Sequence, residues 1–149
     1  MLFRSQTGES DPEAKSLNHP HYISLPFYAN MAGLLKRADL VISRSGAGTL
    51  TELAIVGVPS ILVPYPFAAE DHQAYNAKVF VEAGAAEMFR QQQLLPETLE
   101  ATVLDLLATT PESTARYEQM RSAAKSLAVI DSATQVANLL ERVMGNAYC

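Results

Sequence analysis

The segment Ser43–Glu52, with the sequence SRSGAGTLTE, carries the residues of this chain that are best suited to chemistry. It follows the apolar run Ala38–Ile42, which favours a strand, and it leads into a helical pattern through Leu50 and Leu53. A glycine-rich turn between a strand and a helix presents backbone N–H groups to an anion, and the helix dipole favours negative charge there. Glu52, one turn into the helix, suits a pair of sugar hydroxyls. The segment therefore predicts a site for a nucleotide-linked ligand.

The same segment also has a purely structural interpretation. Its spacing matches neither G-x-G-x-x-G nor G-x-x-x-x-G-K-[ST], so it is not a dinucleotide fingerprint or a P-loop. Thr49 and Glu52 fit a capping box, in which Thr49 caps the helix and Glu52 reaches back to the Thr49 N–H. From these residues alone, the ligand site and the capping box both remain open.

The composition indicates one folded domain of ordinary size. The chain has 149 residues, of which 48% are hydrophobic and 18% charged, enough to bury a core. Its net charge of −5 and pI of about 5.1 argue against nonspecific nucleic-acid binding and against a broad basic membrane face. The single cysteine, Cys149, excludes an internal disulfide framework. No apolar run has the length of a membrane span, and the first residues show no signal-peptide pattern.

Short apolar strands alternate with helical patterns, which is typical of an α/β domain with a parallel sheet. We predict strands near 1–8, 21–25, 38–42, 60–63 and 86–89, and helices after Asn30 and over 49–57, 72–83, 96–107, 111–127 and 131–144. Residues 11–21 are polar and contain two prolines, which predicts a loop or a poorly formed helix, and Asp71 is expected to cap helix 72–83. The apolar stripes of the last helices predict core packing, not a membrane face. Ligands of open parallel sheets bind beyond the carboxyl ends of the strands, which selects loops 26–30, 43–49 and 64–73.

Several motifs along the chain together resemble the C-terminal half of the MurG family of bacterial glycosyltransferases. The resemblance runs from about Gln6 to about Val143 and rests on LPFY-x-x-MA at 25–32, ADLVISRSGAGT-x-x-E at 38–52, G-x-P at 57–59, DHQ-x-x-NA at 71–77 and GAA at 84–86. It implies a Rossmann-like parallel sheet flanked by helices, as in the C-terminal half of a GT-B glycosyltransferase, with extra C-terminal helices. Residues 1–149 would then form a partial nucleotide-sugar-binding domain.

The resemblance also implies a reaction and its partners. Enzymes of this family transfer GlcNAc from UDP-GlcNAc to a lipid-linked muramyl-pentapeptide, converting lipid I into lipid II for peptidoglycan, as peripheral proteins on the cytoplasmic face of the membrane. No cofactor and no metal are implied. Carried over to this sequence, Phe27 and the Tyr28 backbone would contact uracil, and Glu52 the ribose. Ala47, Gly48 and Thr49 would lie along the phosphates, His72 and Gln73 would contact the GlcNAc hydroxyls, and Arg44, Ser45 and Gly46 would line the same pocket.

The chain departs from the family in its extent. Family members are more than twice as long, and their other half carries the acceptor loop, the expected catalytic base and the membrane contact. The first strand and glycine-rich turn of the C-terminal domain are also expected to precede Met1. Three alternatives follow: a subunit of a split membrane-associated UDP-GlcNAc transferase, a non-catalytic UDP-sugar-binding remnant, and a related UDP-sugar transferase or epimerase.

Asn76 is expected to bind a loop through its side-chain amide.

Overall fold

A computed structural model describes residues 2–9 and 19–145 of the chain, which divides into two compact units, Met1–Leu34 and Leu35–Cys149. The loop expected at 11–21 lies mostly outside the described residues. The parallel strands and flanking helices confirm the predicted α/β class.

The first unit contains a two-stranded parallel sheet. Strand β1 (Phe3–Gln6) pairs with β2 (Tyr22–Leu25), with Phe3 opposite Tyr22 and Gln6 opposite Leu25. Helix α1 (Met31–Leu35) begins after Asn30, whose Oδ1 accepts a hydrogen bond of 2.8 Å from the Gly33 N–H, as the capping pattern predicts. A Cβ on Gly33 would lie 2.6 Å from the Asn30 side chain, so this cap requires glycine there.

The second unit contains a three-stranded parallel sheet in the order β3-β4-β5. The strands are β3 (Val41–Ser43), β4 (Ser60–Leu62) and β5 (Ala86–Met88). Helix α2 (Ala47–Val56) connects β3 to β4, and α3 (His72–Glu82) connects β4 to β5. All three residues of the central strand β4 are buried, which explains its continuous apolar pattern.

The core of the second unit lies between the sheet and the helices that follow it. Helices α4 (Pro96–Leu106) and α5 (Pro111–Ser126) each begin with proline, and α5 packs against both α2 and α4. Their contact with β4 forms the buried cluster Ile61, Val103, Leu106 and Met120. The predicted core role of the apolar stripes is therefore confirmed for α4 and α5.

The same prediction is wrong for the last helix, α6 (Ser132–Gly145). Its apolar residues are 56–62% exposed, namely Val136, Leu139, Leu140, Val143 and Met144. Periodic apolar residues show that a helix has an apolar face, but they do not show what covers that face. No helix within the described ranges is long and apolar enough to cross a membrane.

Two leucine substitutions test this difference in packing. Leu53 on α2 is fully buried, so Leu53→Ala should lower the free energy of unfolding by about 2–5 kcal/mol. Leu139 on α6 is 58% exposed, so Leu139→Ala should change it by less than about 0.5 kcal/mol. Urea titrations of the 149-residue chain measure both. A large loss for Leu139→Ala would show that α6 packs on the core in solution.

Candidate functional site

The first turn of α2 is left open by the neighbouring protein. The helix begins at Ala47, and the preceding Gly46 has extended backbone angles and provides no side-chain cap. The first backbone donor within the helix is the Leu50 N–H, which bonds to the Gly46 carbonyl at 3.0 Å. The N–H groups of Ala47, Gly48 and Thr49 therefore have no partner among the described residues, which is the arrangement that can accept an anion.

The capping-box alternative for Thr49 and Glu52 is wrong. Because α2 begins at Ala47 and not at Thr49, Thr49 occupies the third helical position and cannot cap the helix. Glu52 is exposed, and its side chain makes no hydrogen bond or ion pair within the described residues. Its carboxylate is thus left available beside the open turn.

The two glycines of this turn keep its approach clear. A Cβ added to Gly46 or Gly48 would meet no protein atom within 4 Å. Neither residue has a positive φ, so the backbone there is accessible to any residue type. Packing and conformation do not require glycine at these positions. What glycine provides here is unobstructed access to the free N–H groups.

A buried serine connects the β3–α2 turn to the start of α3. Ser45 is fully buried, and its hydroxyl donates a hydrogen bond of 2.7 Å to the Gln73 carbonyl. The Asn76 side-chain amide donates to the Ser45 carbonyl at 3.3 Å, which confirms its predicted role in binding a loop. Because the Ser45 hydroxyl bonds to protein, any ligand contact at this residue falls to its backbone.

Arg44 braces the three loops that follow the strands. Its Nη1 donates to the carbonyls of Val63 and Pro64 at 3.1 and 3.2 Å, and its Nη2 donates to Gln91 Oε1 at 2.7 Å. The guanidinium also lies 5.6 Å from the centre of the Tyr65 ring. In this structure Arg44 therefore binds neighbouring loops, and its contact with a ligand stays a prediction.

His72 and Gln73, the first residues of α3, each hold one side-chain group in place and leave another free. Gln73 Oε1 accepts a hydrogen bond of 3.0 Å from the Tyr65 N–H, which leaves the amide NH2 as a donor. His72 Nδ1 lies 2.8 Å from the Ala69 carbonyl. A carbonyl only accepts hydrogen bonds, so Nδ1 carries the proton and Nε2 of the neutral ring is an acceptor.

The residues immediately before α3 form a strained corner. Glu70 and Asp71 both have left-handed backbone angles, with φ of 50° and 56°. Such angles cost about 1–2 kcal/mol for each non-glycine residue. The expected cap by Asp71 is wrong, since its side chain makes no capping bond. Both Asp71 carboxylate oxygens instead accept hydrogen bonds of 2.6 Å from Arg90.

Arg90 is the residue of this region that the sequence reasoning missed. It follows β5 and lies 19 positions beyond Asp71, so no local spacing indicates the pair. Hydrogen bonding from Arg90, followed by its charge and that of His72, holds the pKa of Asp71 below its ordinary value. The same hydrogen bonds raise the pKa of Arg90. The pair therefore remains charged at neutral pH.

Phe27 and Tyr28 lie in the first unit, and their roles toward uracil remain predictions. The Phe27 side chain is 70% exposed, as a stacking surface requires. The Tyr28 N–H is already used, because it donates to Gln6 Oε1 at 3.1 Å. A base bound here would use the Tyr28 carbonyl or displace Gln6.

In the second unit, α2 follows the carboxyl end of strand β3 of a parallel sheet and begins with unpaired N–H groups, an arrangement typical of α/β domains that bind nucleotides. Within residues 2–9 and 19–145, no group of three or more His, Cys, Asp or Glu side chains could hold a metal ion. The model of the glycosyltransferase family 28 C-terminal domain matches residues 2–136, and the chain belongs to this family.

Known proteins agree with this assignment. The UDP-N-acetylglucosamine–N-acetylmuramyl-(pentapeptide) pyrophosphoryl-undecaprenol N-acetylglucosamine transferase of Rippkaea orientalis is 62% identical over 134 residues, covering 90% of this chain and 37% of the relative. The transferase of the same name from Trichormus variabilis is 57% identical over 138 residues, covering 93% and 38%. The chain thus spans little more than a third of these relatives.

A solved structure supports the same family at the level of the fold. The crystal structure of Acinetobacter baumannii MurG aligns with a TM-score of 0.82 and 32% identity, covering 93% of this chain and 42% of that one. The predicted resemblance to the C-terminal half of this family is therefore confirmed.

The Asp71–Arg90 pair makes a prediction about acid stability. Because the folded pKa of Asp71 lies below the ordinary value of 3.8, its carboxylate stabilises the fold above that pH, and this contribution disappears as pH falls through the folded pKa. Asp71→Asn removes the titrating group, while asparagine still tolerates the left-handed conformation. Between about pH 4 and about pH 2, the free energy of unfolding should fall more steeply in the wild type than in the variant.

Urea titrations at several pH values measure the two slopes. Arg90→Gln is the matched variant, since it keeps the carboxylate but removes its partner, and it should flatten the pH dependence in the same way. Parallel curves for the wild type and both variants would contradict an ion pair at this position in solution.

Proposed function

We propose that this chain is the UDP-GlcNAc-binding part of a glycosyltransferase that transfers GlcNAc to undecaprenyl-pyrophosphoryl-MurNAc-pentapeptide, converting lipid I into lipid II. The observation that carries the proposal is the unpartnered Glu52 carboxylate beside the open first turn of α2. The names of relatives that are 53–62% identical support the choice of donor and acceptor.

The chemistry of the α2 turn fits a uridine diphosphate. Three free N–H groups and the positive end of the helix dipole attract the diphosphate. Glu52 lies five residues beyond Ala47, which is roughly 7 Å along the helix axis. A ribose attached to the diphosphate carries two hydroxyl donors, and a carboxylate is the acceptor that binds such a pair.

The start of α3 supplies groups for the sugar. The free Gln73 amide donates hydrogen bonds, and His72 Nε2 accepts one, so together they match hydroxyls that both accept and donate. The Ser45–Gln73 hydrogen bond couples this end of α3 to the β3–α2 turn. One ligand would therefore contact both helix starts.

Transfer breaks the bond between sugar C1 and the β-phosphate oxygen and forms a new bond from C1 to the acceptor hydroxyl oxygen. The acceptor proton passes to a base, and negative charge grows on the departing UDP. The N–H groups of Ala47, Gly48 and Thr49 stabilise that charge as it develops. The base, the acceptor site and the contact with the inner face of the cytoplasmic membrane belong to the part of the relatives that this chain does not span.

The Glu52 carboxylate gives the first test. Glu52→Ala should weaken UDP binding by about 1.5–3 kcal/mol, because a charge-assisted contact with the ribose hydroxyls is lost. Its unfolding free energy should change by less than about 0.5 kcal/mol, since the exposed side chain has no protein partner. Isothermal titration with UDP and a urea titration measure the two quantities. Glu82→Ala, which removes an exposed glutamate of α3, is the matched control. Equal UDP affinity in wild type and Glu52→Ala would contradict the proposal.

A second test asks whether this chain binds the donor while the rest of the relatives' length supplies the acceptor site and the base. The chain alone should bind UDP-GlcNAc without transferring the sugar, because acceptor and base must be held in position opposite the donor. Incubation with UDP-GlcNAc and a lipid I analogue, with and without the remaining part of the Rippkaea orientalis relative, measures transfer. Product should form only in the presence of that part. Sugar transfer by the chain alone would overturn the assignment of the base to the part of the relatives that this chain does not span.

A further inference from the structure

The corner before α3 needs a support from outside its own loop. Among residues 2–9 and 19–145, Glu70 and Asp71 are the only non-glycine residues with positive φ, and they are consecutive. Within the loop, the Asp71 N–H donates to the Ala68 carbonyl at 3.0 Å, and the His72 N–H and ring Nδ1–H both meet the Ala69 carbonyl, the ring nitrogen at 2.8 Å. None of these bonds holds the Asp71 side chain. Strained backbone of this kind persists only where surrounding contacts over-determine it.

Arg90 provides that support from another element. Its planar guanidinium donates from both Nη atoms to the two Asp71 carboxylate oxygens, each at 2.6 Å. A two-point pair fixes both the distance and the orientation of the carboxylate, which a single contact does not. Arg90 thereby fixes the side chain of the residue immediately before His72.

The residues on either side of Arg90 are bonded to the sheet and to a neighbouring loop. The preceding residue, Phe89, donates its N–H to the Leu62 carbonyl at 3.0 Å, extending the β4–β5 ladder. The following residue, Gln91, accepts the 2.7 Å hydrogen bond from Arg44. The Arg90 backbone is therefore positioned between two cross-links to neighbouring strands and loops.

We propose that Arg90 is a positioning residue that sets the preference of the site for the sugar-bearing nucleotide over the free nucleotide. Through Asp71 it holds the strained corner and so places His72 and Gln73, the two residues assigned to the sugar hydroxyls. This inference rests on the proposed function. Arg90 acts through Asp71 and does not itself contact the ligand.

The proposal predicts a loss that depends on the sugar. Without Arg90, the corner relaxes toward unstrained backbone angles, and only a fraction of molecules present His72 and Gln73 correctly. Apparent affinity falls by that fraction, which for one competent molecule in ten is about tenfold. The affinity for UDP-GlcNAc should fall and that for UDP should not, because the diphosphate and the ribose bind at α2, which Arg90 does not contact.

The test compares UDP-GlcNAc with UDP on the 149-residue chain by isothermal titration. Arg90→Gln and Asp71→Asn should each weaken UDP-GlcNAc binding by about tenfold and leave UDP binding within about twofold of the wild type. Arg90→Lys keeps the charge but loses the planar two-point pair, so it should fall between wild type and Arg90→Gln. Thermal melts of each variant confirm that it is folded.

Arg116→Gln is the matched control, because Arg116 also pairs with two carboxylates, those of Glu87 and Asp105. It should leave the ratio of the two affinities unchanged. An unchanged ratio in Arg90→Gln, or an equal loss for both ligands, would overturn the positioning role while leaving the proposed function intact. Failure of the wild-type chain to bind either ligand would overturn the proposed function and this inference with it.

Discussion

The candidate site depends on one buried hydrogen bond, from the Ser45 hydroxyl to the Gln73 carbonyl. Ser45 is fully buried, so breaking this 2.7 Å bond would leave its hydroxyl without a partner in a dry interior, whereas the Gln73 carbonyl would keep its bond within α3. The Asn76 amide adds a second bond between the same two segments. Together these bonds link the α3 backbone to the β3–α2 turn, while the corner that precedes His72 is held separately by Arg90. The groups that remain free can therefore act as one site.

Some polar groups of the site hydrogen-bond to other parts of the protein, and others have no protein partner in the described chain. Arg44 and the Ser45 hydroxyl connect loops, and Arg90 holds the strained corner. The first-turn N–H groups, the Glu52 carboxylate and the Gln73 amide remain without protein partners in the described chain. This remainder offers N–H and amide donors together with a carboxylate acceptor, and the proposed function assigns these groups to a nucleotide sugar.

Much of this arrangement was predictable from sequence, because apolar periodicity and helix stop signals depend on local residues. Strand β4 and helix α3 fall close to their predicted bounds. The start of α2 was placed two residues late, since a helix that begins without a side-chain cap leaves no local signal. The Asp71–Arg90 pair joins distant positions through left-handed backbone, which sequence spacing does not reveal. The exposed apolar face of α6 has the same periodicity as a buried one.

The proposed function requires the open turn of α2 and the start of α3 to bind a single nucleotide sugar. The most direct measurement is a titration of the isotopically labelled chain with UDP-GlcNAc, followed through the chemical shifts of its backbone amides. We expect the largest shifts on the amides of Gly46, Ala47, Gly48 and Thr49, with a second group at His72 and Gln73. UDP alone should reproduce the first group and not the second. Shifts confined to other parts of the chain, or no shifts at saturating UDP-GlcNAc, would contradict it.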